Sequence, residues 1–544
     1  MDQKQRNSLS PSKLTMIAAL SIVIICGAVY HRVPFQDIAN YDEVIWVGAV
    51  QQPGLGTLKQ ILTWDLTWGG TGSRQTGYYA PLPAVSIMVD LWLGRALGRT
   101  DSVLKITNLA LHVLNSLAVL WLVRCLGFSI WISFTVASIF AVHPLQVSTV
   151  AWIAERKNLL LGLFLLAGLI CYCRYRQTEK QGFYWAALVA YCLSLLSKPS
   201  AVAFGPCVIM TDLFVFDKRL TIRSLWRATP ILILGVSWVV LVTATEGPIA
   251  NAPPLWDRIM LFPLKVCFLL EKFIFPTGLT LIYPPLEVEA ASILIWLPAV
   301  VFAILGFVLL VLHRFVPLWG VLWGVTFYIL NLIPSSGIVP FAGMKELYVA
   351  DHYQYLALIG AALVVALAAN HIAARWSIDR AFYVKLVLTV TSVLAMGAAS
   401  INLVPVWDNG ETLWKDVIAK HPASGTAHYN YAHYLDDRGR LAEAAAHYRA
   451  AVAIDGDLYQ AYNNLGIIMM KQGRLDAAAE YFGQAIDKNP RFGEPHLALA
   501  KIRFFQASYQ QALEHCRQAR LFGADCRPEQ LENTIRAITN ESKK

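Results

Sequence analysis

Asp42 and Glu43 stand side by side at the end of the stretch Phe35-Gln36-Asp37-Ile38-Ala39-Asn40-Tyr41-Asp42-Glu43, just beyond the first apolar run of the chain. Adjacent carboxylates near a membrane surface are costly unless they are solvated or used. Used, they make a general base with an acidic helper: each raises the other's pKa, and a hydroxyl acceptor can lose its proton to one of them. Unused, they are an ordinary solvated loop closing a helix. Three cations pose the same kind of choice. Arg156 and Lys157 precede one apolar run and Lys198 ends another, so each is either a snorkelling stem or the counter-charge of an anion. Arg258, Lys265, Lys272 and Lys345 are further cations of this kind. His143, followed by Pro144, is a metal ligand or a kinked, hydrogen-bonded helix end, and the proline favours the kink.

The elements that must position these residues are set by composition. Of 544 residues, 56% are hydrophobic and 15% charged, too apolar and too poor in charge for a soluble protein of this length. The formal charge of +9 lies outside the tail, because residues 404 onward hold 17 Lys and Arg against 17 Asp and Glu. The excess therefore belongs to the apolar part as a topology signal, and no basic stripe with interleaved aromatics points to nucleic acid. Seven of nine cysteines lie in that apolar part, and Cys171-x-Cys173 has no second pair or nearby His, which reads as small buried hydrophobes rather than a metal site. Cys516 and Cys526 in the tail could pair in an oxidising compartment, which spacing alone does not decide.

Lys4, Arg6 and Lys13 precede the apolar run 14–30, the pattern of a signal anchor with its N-terminus in the cytoplasm. Further spans read near 103–123, 128–143, 153–173, 183–198, 201–216, 228–245, 291–312, 316–333, 353–370 and 382–403, about eleven in all. The basic loops with Arg174, Arg176 and Lys180, with Lys218, Arg219, Arg223 and Arg227, and with Arg375 and Arg380 then fall on the cytoplasmic side. Residues 31–100, Arg156, Lys157, Lys198 and the tail fall outside. Segments 82–98 and 257–275 are apolar, but either one alone as a full span would invert this pattern, so they read as interfacial or re-entrant helices. Asp212, on the cytoplasmic side with Lys218 and Arg219, reads as structural.

The tail, 404–544, repeats every 34 residues. Tyr462, Leu465, Gly466, Ala478, Phe482, Ala485 and Pro490 occupy the slots of a tetratricopeptide (TPR) repeat. Repeats near 425–458, 459–492 and 493–526 follow, with a cap helix at 528–538, a degenerate leading helix near 408–420, and Gly439 and Gly473 ending first helices. The fold class is all-α: a polytopic helical domain, 1–403, followed by a TPR solenoid. The tyrosine stripe from Tyr429 to Tyr481 is mostly repeat core, with some residues left for a groove that takes an extended peptide or a helix.

The order of motifs resembles the transmembrane-and-TPR O-mannosyltransferases and their bacterial relatives, in the GT-C class of glycosyltransferases. It comprises Asn40-Tyr41-Asp42-Glu43, Tyr79-Ala80-Pro81-Leu82, Thr107-Asn108-Leu109, Leu111-His112, His143-Pro144-Leu145-Gln146-Val147, Ala151-Trp152-Ile153-Ala154-Glu155-Arg156-Lys157, Ser197-Lys198-Pro199, Asp212, Ala350-Asp351-His352-Tyr353-Gln354-Tyr355-Leu356 and the TPR array. The resemblance implies inverting transfer of a sugar from a polyprenyl-phosphate donor to an acceptor hydroxyl. It implies Asp42 as base with Glu43 as partner, and Arg156, Lys157 and Lys198 as cations on the departing lipid phosphate. His143, Glu155, Arg258, Tyr283, Lys345, Asp351, His352 and Tyr353 are secondary candidates for the donor or acceptor site, Tyr283-Pro284-Pro285 as a rigid outer loop. Ser148 and Asn158 stand where relatives usually carry acidic residues, which lowers the case for a divalent metal, so no cofactor is required. His352 replaces the more common Arg, a switchable group for a permanent cation.

The expected partners are an undecaprenyl- or dolichyl-phosphate sugar, an extracytoplasmic protein acceptor held by the TPR array, and membrane lipid. The expected location is a bacterial inner membrane with the first loop and TPR array periplasmic. Two rivals remain: a membrane-anchored TPR scaffold for envelope, pilus or secretion assembly, and a GT-C enzyme acting on an envelope glycan or lipid. Transport is disfavoured, since the spans show no internal repeat or paired broken helices.

Overall fold

Along much of the first 409 residues large apolar side chains face outward and polar ones face inward. Met16, Leu20, Ile24, Trp185, Val236, Phe307 and Leu394 are exposed, while Lys105, Asn108, His112, Asn115, Glu155, Arg156 and Asp212 are fully buried. That inversion is what a hydrocarbon solvent demands, because polar groups there must find partners inside the protein. The computed structural model describes residues 10–38, 47–48, 50, 54–63, 79–217, 219, 221–246, 254–284, 293–313, 318–338 and 349–541. All regular elements among them are helical. The chain divides into two compact units, with the break between Asn409 and Gly410.

In the first unit six helices are long and apolar enough to cross a membrane: Ser12–Phe35, Thr100–Cys125, Ile153–Thr178, Pro199–Phe216, Ile222–Ala244 and Ile378–Trp407. A seventh span is possible if Ile130–Val142 and Pro144–Ala151, bent by 53° at their junction, are taken together. Gln181–Leu195, Trp296–Leu309, Trp319–Ser335 and Leu358–Ala373 are apolar but shorter. By length and composition six helices among the described residues, or seven with the bent pair, qualify as spans, where hydropathy reads about eleven. Two of these helices meet backbone to backbone: a Cβ at Gly360 would lie 2.2 Å from the carbonyl oxygen of Gly324, so only glycine permits the approach.

The interior also carries ionic ties. Asp212 is buried and takes a hydrogen bond from Tyr172 Oη at 2.8 Å, an ion pair with Arg176 and one with Arg227 at 3.7 Å. Arg176 and Arg227 also reach Asp217, at 2.7 and 3.4 Å. Asp212 is therefore structural as expected, but through Arg176 and Arg227, basic residues of the loops that the charge pattern assigned to the cytoplasm.

The second unit is a helix ladder. Gly410–Lys420 leads, the pairs Gly425–Asp437 with Leu441–Ile454, Tyr459–Lys471 with Leu475–Lys488, and Gly493–Phe505 with Tyr509–Leu521 follow, and Pro528–Glu541 closes it. Gly439 and Gly473 take left-handed φ of 73° and 74° after the first helices. Ala507 holds the same repeat position at φ 57°, a conformation that costs a residue with a Cβ about 1–2 kcal/mol. Cys516 is disulfide-bonded to Cys526, across 5.5 Å between Cα atoms, which ties the last repeat to the segment leading into the closing helix.

A histidine pair joins the two helices of the first and third repeats. His428 Nε2 lies 3.2 Å from the Pro422 carbonyl, which only accepts, so its Nδ1 is free to accept from His447 Nδ1, 2.9 Å away. His496 and His515, two repeat lengths further on, meet in the same way at 3.2 Å, while the middle repeat has Tyr462 and Tyr481 in those slots. Burial lowers the pKa of His447, His496 and His515, with a further push on His447 and His515 from the partner imidazole. A histidine whose folded pKa lies below its unfolded value stabilises the fold above the unfolded pKa and loses that contribution as pH falls through it, near 6.5. Hydrogen exchange on the full chain, corrected for intrinsic rate, should show helices 425–454 and 493–521 losing protection between pH 7.5 and 5.5 while 459–488 changes less. Replacing His447 and His515 by Tyr should flatten the difference.

Candidate active site

The helix Ile130–Val142 ends because His143 leaves the helical conformation and Pro144 cannot continue it. His143 Nδ1 accepts from the Leu145 amide at 3.2 Å, its Nε2 meets the Phe273 carbonyl at 2.9 Å, and its ring stacks on Phe273 at 5.1 Å. It is a cap at a kink, as the proline indicated. From there to the helix Arg156–Thr178 the chain runs through a turn at Pro144–Gln146, a short helix Val147–Ala151 and a turn at Ile153–Glu155.

Broken helix leaves carbonyls without partners, and the helix Thr100–Cys125 supplies them. Lys105 Nζ donates to Ala151 O at 2.7 Å, Asn108 Nδ2 to Val150 O and Trp152 O at 3.4 and 3.1 Å, and Asn115 Nδ2 to Leu159 O at 2.9 Å. His112 Nε2 meets Ala141 O at 3.0 Å. The four recur at spacings of three and four, so they line one face of that helix. Asn115 Nδ2 and His112 Nδ1 also reach Tyr355 Oη, at 2.9 and 3.1 Å, which locks the Asp351–Gln354 turn region to the same face. Lys105 and Asn115 were not singled out in the sequence, although a polar residue at every third or fourth position of an apolar helix was there to be seen.

Consecutive residues then take opposite roles. Arg156 is wholly buried, with Nε on Asn108 Oδ1 at 2.8 Å, Nη1 on Ser86 Oγ at 3.2 Å and on Asp90, and Nη2 on Leu104 O at 2.6 Å. All three nitrogens are engaged by the protein. In this structure Arg156 joins Asp90 of the helix Pro81–Leu97 to the helix Thr100–Cys125, apart from the cluster that holds Lys157 and Lys198.

Lys157 and Lys198 do come together, around Glu155. Lys157 Nζ lies 3.2 Å from Glu155 Oε1 and His352 Nε2 lies 3.7 Å from the same oxygen. Asn158 Nδ2 donates to Glu155 Oε2 and to His352 O, and its Oδ1 accepts from Lys198 Nζ at 2.7 Å. Glu155 is fully buried and His352 nearly so, whereas the Lys157 side chain keeps 16% exposure. Among the described residues, Lys157, Lys198 and His352 are thus gathered around the Glu155 carboxylate. Burial, aided by the two lysines against the pull of Glu155, lowers the His352 pKa to about 4, so the imidazole is neutral at pH 7. Trp152 packs edge-on against His352, with ring centres 5.6 Å apart, and stacks on Trp407 at 6.0 Å.

The other candidates lie apart from this cluster or beside it. Asp351 Oδ1 accepts from Tyr283 Oη at 2.7 Å, so the Tyr283 loop is fixed to the residue before His352. Arg258 donates to Ile338 O at 2.5 Å, Lys265 to Ser336 O at 2.5 Å, and Lys272 sits against Glu271 and Thr277 O; these three hold loop backbone. Tyr353 lines a small cleft with Lys265 and Ser336. Asp42, Glu43 and Lys345 lie outside the described residues. Among the described residues no three His, Cys, Asp or Glu side chains converge as metal ligands.

The tail matches the TPR repeat model over residues 435–473 and the tetratricopeptide repeat model over 459–492. A human protein O-mannosyl-transferase, TMTC1, is 23% identical over 478 residues, covering 77% of this chain and 52% of that protein. A Caenorhabditis elegans protein O-mannosyl-transferase, F38B6.6, is 22% identical and covers 74% of this chain and 57% of its own. The chain spans about half the length of these relatives. Among solved structures, the Archaeoglobus fulgidus oligosaccharyltransferase tethered with an acceptor peptide is 15% identical, covering 70% of this chain and 55% of that one at a TM-score of 0.39, too loose to pair individual residues. A helical membrane protein with a carboxy-terminal TPR array is the class these features define. Within it, the chain is similar over about three quarters of its length to these proteins named protein O-mannosyl-transferase, at 23% and 22% identity.

If Arg156 is a tie, its removal strands Asp90 in a buried position. Arg156→Ala should destabilise the first unit by about 3–5 kcal/mol, seen as a lowered thermal midpoint in detergent. The pair Arg156→Met with Asp90→Leu should recover much of the loss. An Arg156→Ala protein with an unchanged midpoint would restore the phosphate role instead.

Proposed function

We propose that this chain is an integral-membrane glycosyltransferase of the GT-C class. It transfers a sugar, with inversion, from a polyprenyl-phosphate donor to Ser or Thr hydroxyls of extracytoplasmic proteins. The observation that carries the reading is the meeting of Lys157 and Lys198 around Glu155, in a chain whose relatives bear the name protein O-mannosyl-transferase. A lipid phosphate is an anion that two neighbouring lysines suit, and a departing phosphate stabilised by fixed cations needs no proton from an acid.

In this scheme Asp42 takes the proton of the acceptor hydroxyl, with Glu43 adjusting its basicity. The hydroxyl oxygen bonds to the sugar's anomeric carbon from the face opposite the phosphate, and the carbon–oxygen bond to the phosphate breaks with its electron pair on oxygen. The residues of the cluster come from the segments that the positive-inside pattern placed outside, and Arg176, Arg227 and their acidic partners from those it placed inside. That separation supports a topology in which the four shorter apolar helices and the bent pair also cross, giving eleven spans, with the TPR array on the outer side. Cys516–Cys526 suits an oxidising compartment, which in a bacterium is the periplasmic face of the inner membrane. The TPR array recruits the polypeptide acceptor.

The test is intact-mass and glycopeptide spectrometry on cells lacking the gene, complemented with the native sequence, Asp42→Asn, or Lys157→Gln with Lys198→Gln. The native form should restore a defined sugar mass on one or a few extracytoplasmic proteins, and both variants should lose most of it. Unchanged protein masses together with an envelope-assembly defect rescued equally by all forms would favour a TPR scaffold.

A further inference from the structure

Several helix ends of the membrane unit meet at one level. Asp212 and Asp217, in the last turn of Pro199–Phe216 and just beyond it, bind Arg176 near the end of Ile153–Thr178 and Arg227 in the second turn of Ile222–Ala244. Tyr184, in the first turn of Gln181–Leu195, donates to the Arg227 carbonyl at 2.8 Å. Three of these helices are long and apolar enough to be spans, so their shared end marks a membrane surface.

Two tryptophans sit at that level. Trp185 follows Tyr184 and Trp226 precedes Arg227, and both are exposed, on helices whose outward side chains further along are Val189, Ile233 and Val236. Exposed indoles near the end of an apolar face belong to the headgroup layer. Lys180 and Arg223 each lie one helical turn before the bonded residues Tyr184 and Arg227, with Arg174 in the last turns of the preceding helix and Arg219 in the preceding connection. These four cations are exposed and stand in no ion pair among the described residues, and Glu179 is an exposed acid beside them.

We infer that this rim binds the headgroups of anionic phospholipids, with phosphate oxygens on the guanidinium and ammonium groups and acyl chains along the apolar faces beyond Trp185 and Trp226. The occupant is a lipid because one surface runs from cations through indoles to side chains that face hydrocarbon. Basic residues at a membrane surface attract anionic lipid over about a Debye length, so salt weakens the attraction. A lipid held there braces the helix ends from outside, while Asp212 and Asp217 tie them from within. This site uses none of the residues of the Glu155 cluster and is independent of the reaction proposed above.

The test places the full chain in nanodiscs of dioleoyl phosphatidylcholine with a minor share of dioleoyl phosphatidylglycerol, and native mass spectrometry counts the lipids that the released protein retains. The native chain should retain phosphatidylglycerol at about tenfold over its share of the bilayer, and added salt should lower that enrichment. Lys180→Gln combined with Arg219→Gln and Arg223→Gln should retain it only in proportion to the bilayer, with the native thermal midpoint in phosphatidylcholine alone. Lys180→Gln or Arg223→Gln alone should lower the enrichment part of the way, which keeps the test valid if the combined variant misfolds. Arg375→Gln with Arg380→Gln removes charge from another exposed basic stretch and should leave the enrichment unchanged. No enrichment in the native chain, or enrichment that survives the substitutions at the rim, would overturn the site. Equal loss in the Arg375 and Arg380 variant would also overturn it, by assigning the enrichment to surface charge in general.

Discussion

The structure of the membrane unit depends on one requirement: a helix broken among buried residues exposes carbonyls that water cannot reach. Between Val142 and Arg156 the backbone passes through two turns and one short helix, and the groups freed there must be met from within the protein. The polar face of Thr100–Cys125 meets them, with Lys105, Asn108, His112 and Asn115 each donating to a carbonyl of this stretch or its flanks. Each bond contributes only about 1 kcal/mol net, but an unmet buried carbonyl costs more than that, so the polar face and the break require each other.

What the break achieves is a change of direction for the side chains after it. Glu155 closes a turn and Arg156 opens a helix, and each further helical residue rotates by about 100°. Arg156 therefore points back into the packing against Asp90, while Lys157 and Asn158 turn to Glu155, Lys198 and His352. A continuous helix in place of the broken one would hold these cations differently. The same geometry explains why neighbouring basic residues differ in surroundings: Arg156 has all its nitrogens engaged by the packing, while Lys157 turns to the cluster around Glu155.

The TPR repeat could be read from sequence because its signal is local and periodic. The kink at His143-Pro144 and the structural role of Asp212 were also legible, each from a proline or from nearby basic residues. The tie between Arg156 and Asp90 was not legible because Asp90 lies 66 residues earlier, in a segment whose apolarity draws attention from its one acid. No pattern within either helix announces that pairing. Asn158 was noted only for the carboxylate it lacks; its role as the link between Glu155 and Lys198 needs three separate segments in space. Hydropathy reads a span at 183–198 where the helix runs Gln181–Leu195, because it measures apolar character and not where a helix stops.

The central claim is that Lys157 and Lys198 face a lipid phosphate. The most direct test is an electron cryomicroscopy map of the full chain in nanodiscs containing polyprenyl phosphate, compared with one lacking it. The account predicts phosphate density within hydrogen-bond distance of Lys157 Nζ or Lys198 Nζ, with the Arg156–Asp90 pair unchanged. Phosphate density bound elsewhere, or a Glu155 cluster identical with and without the lipid, would contradict it.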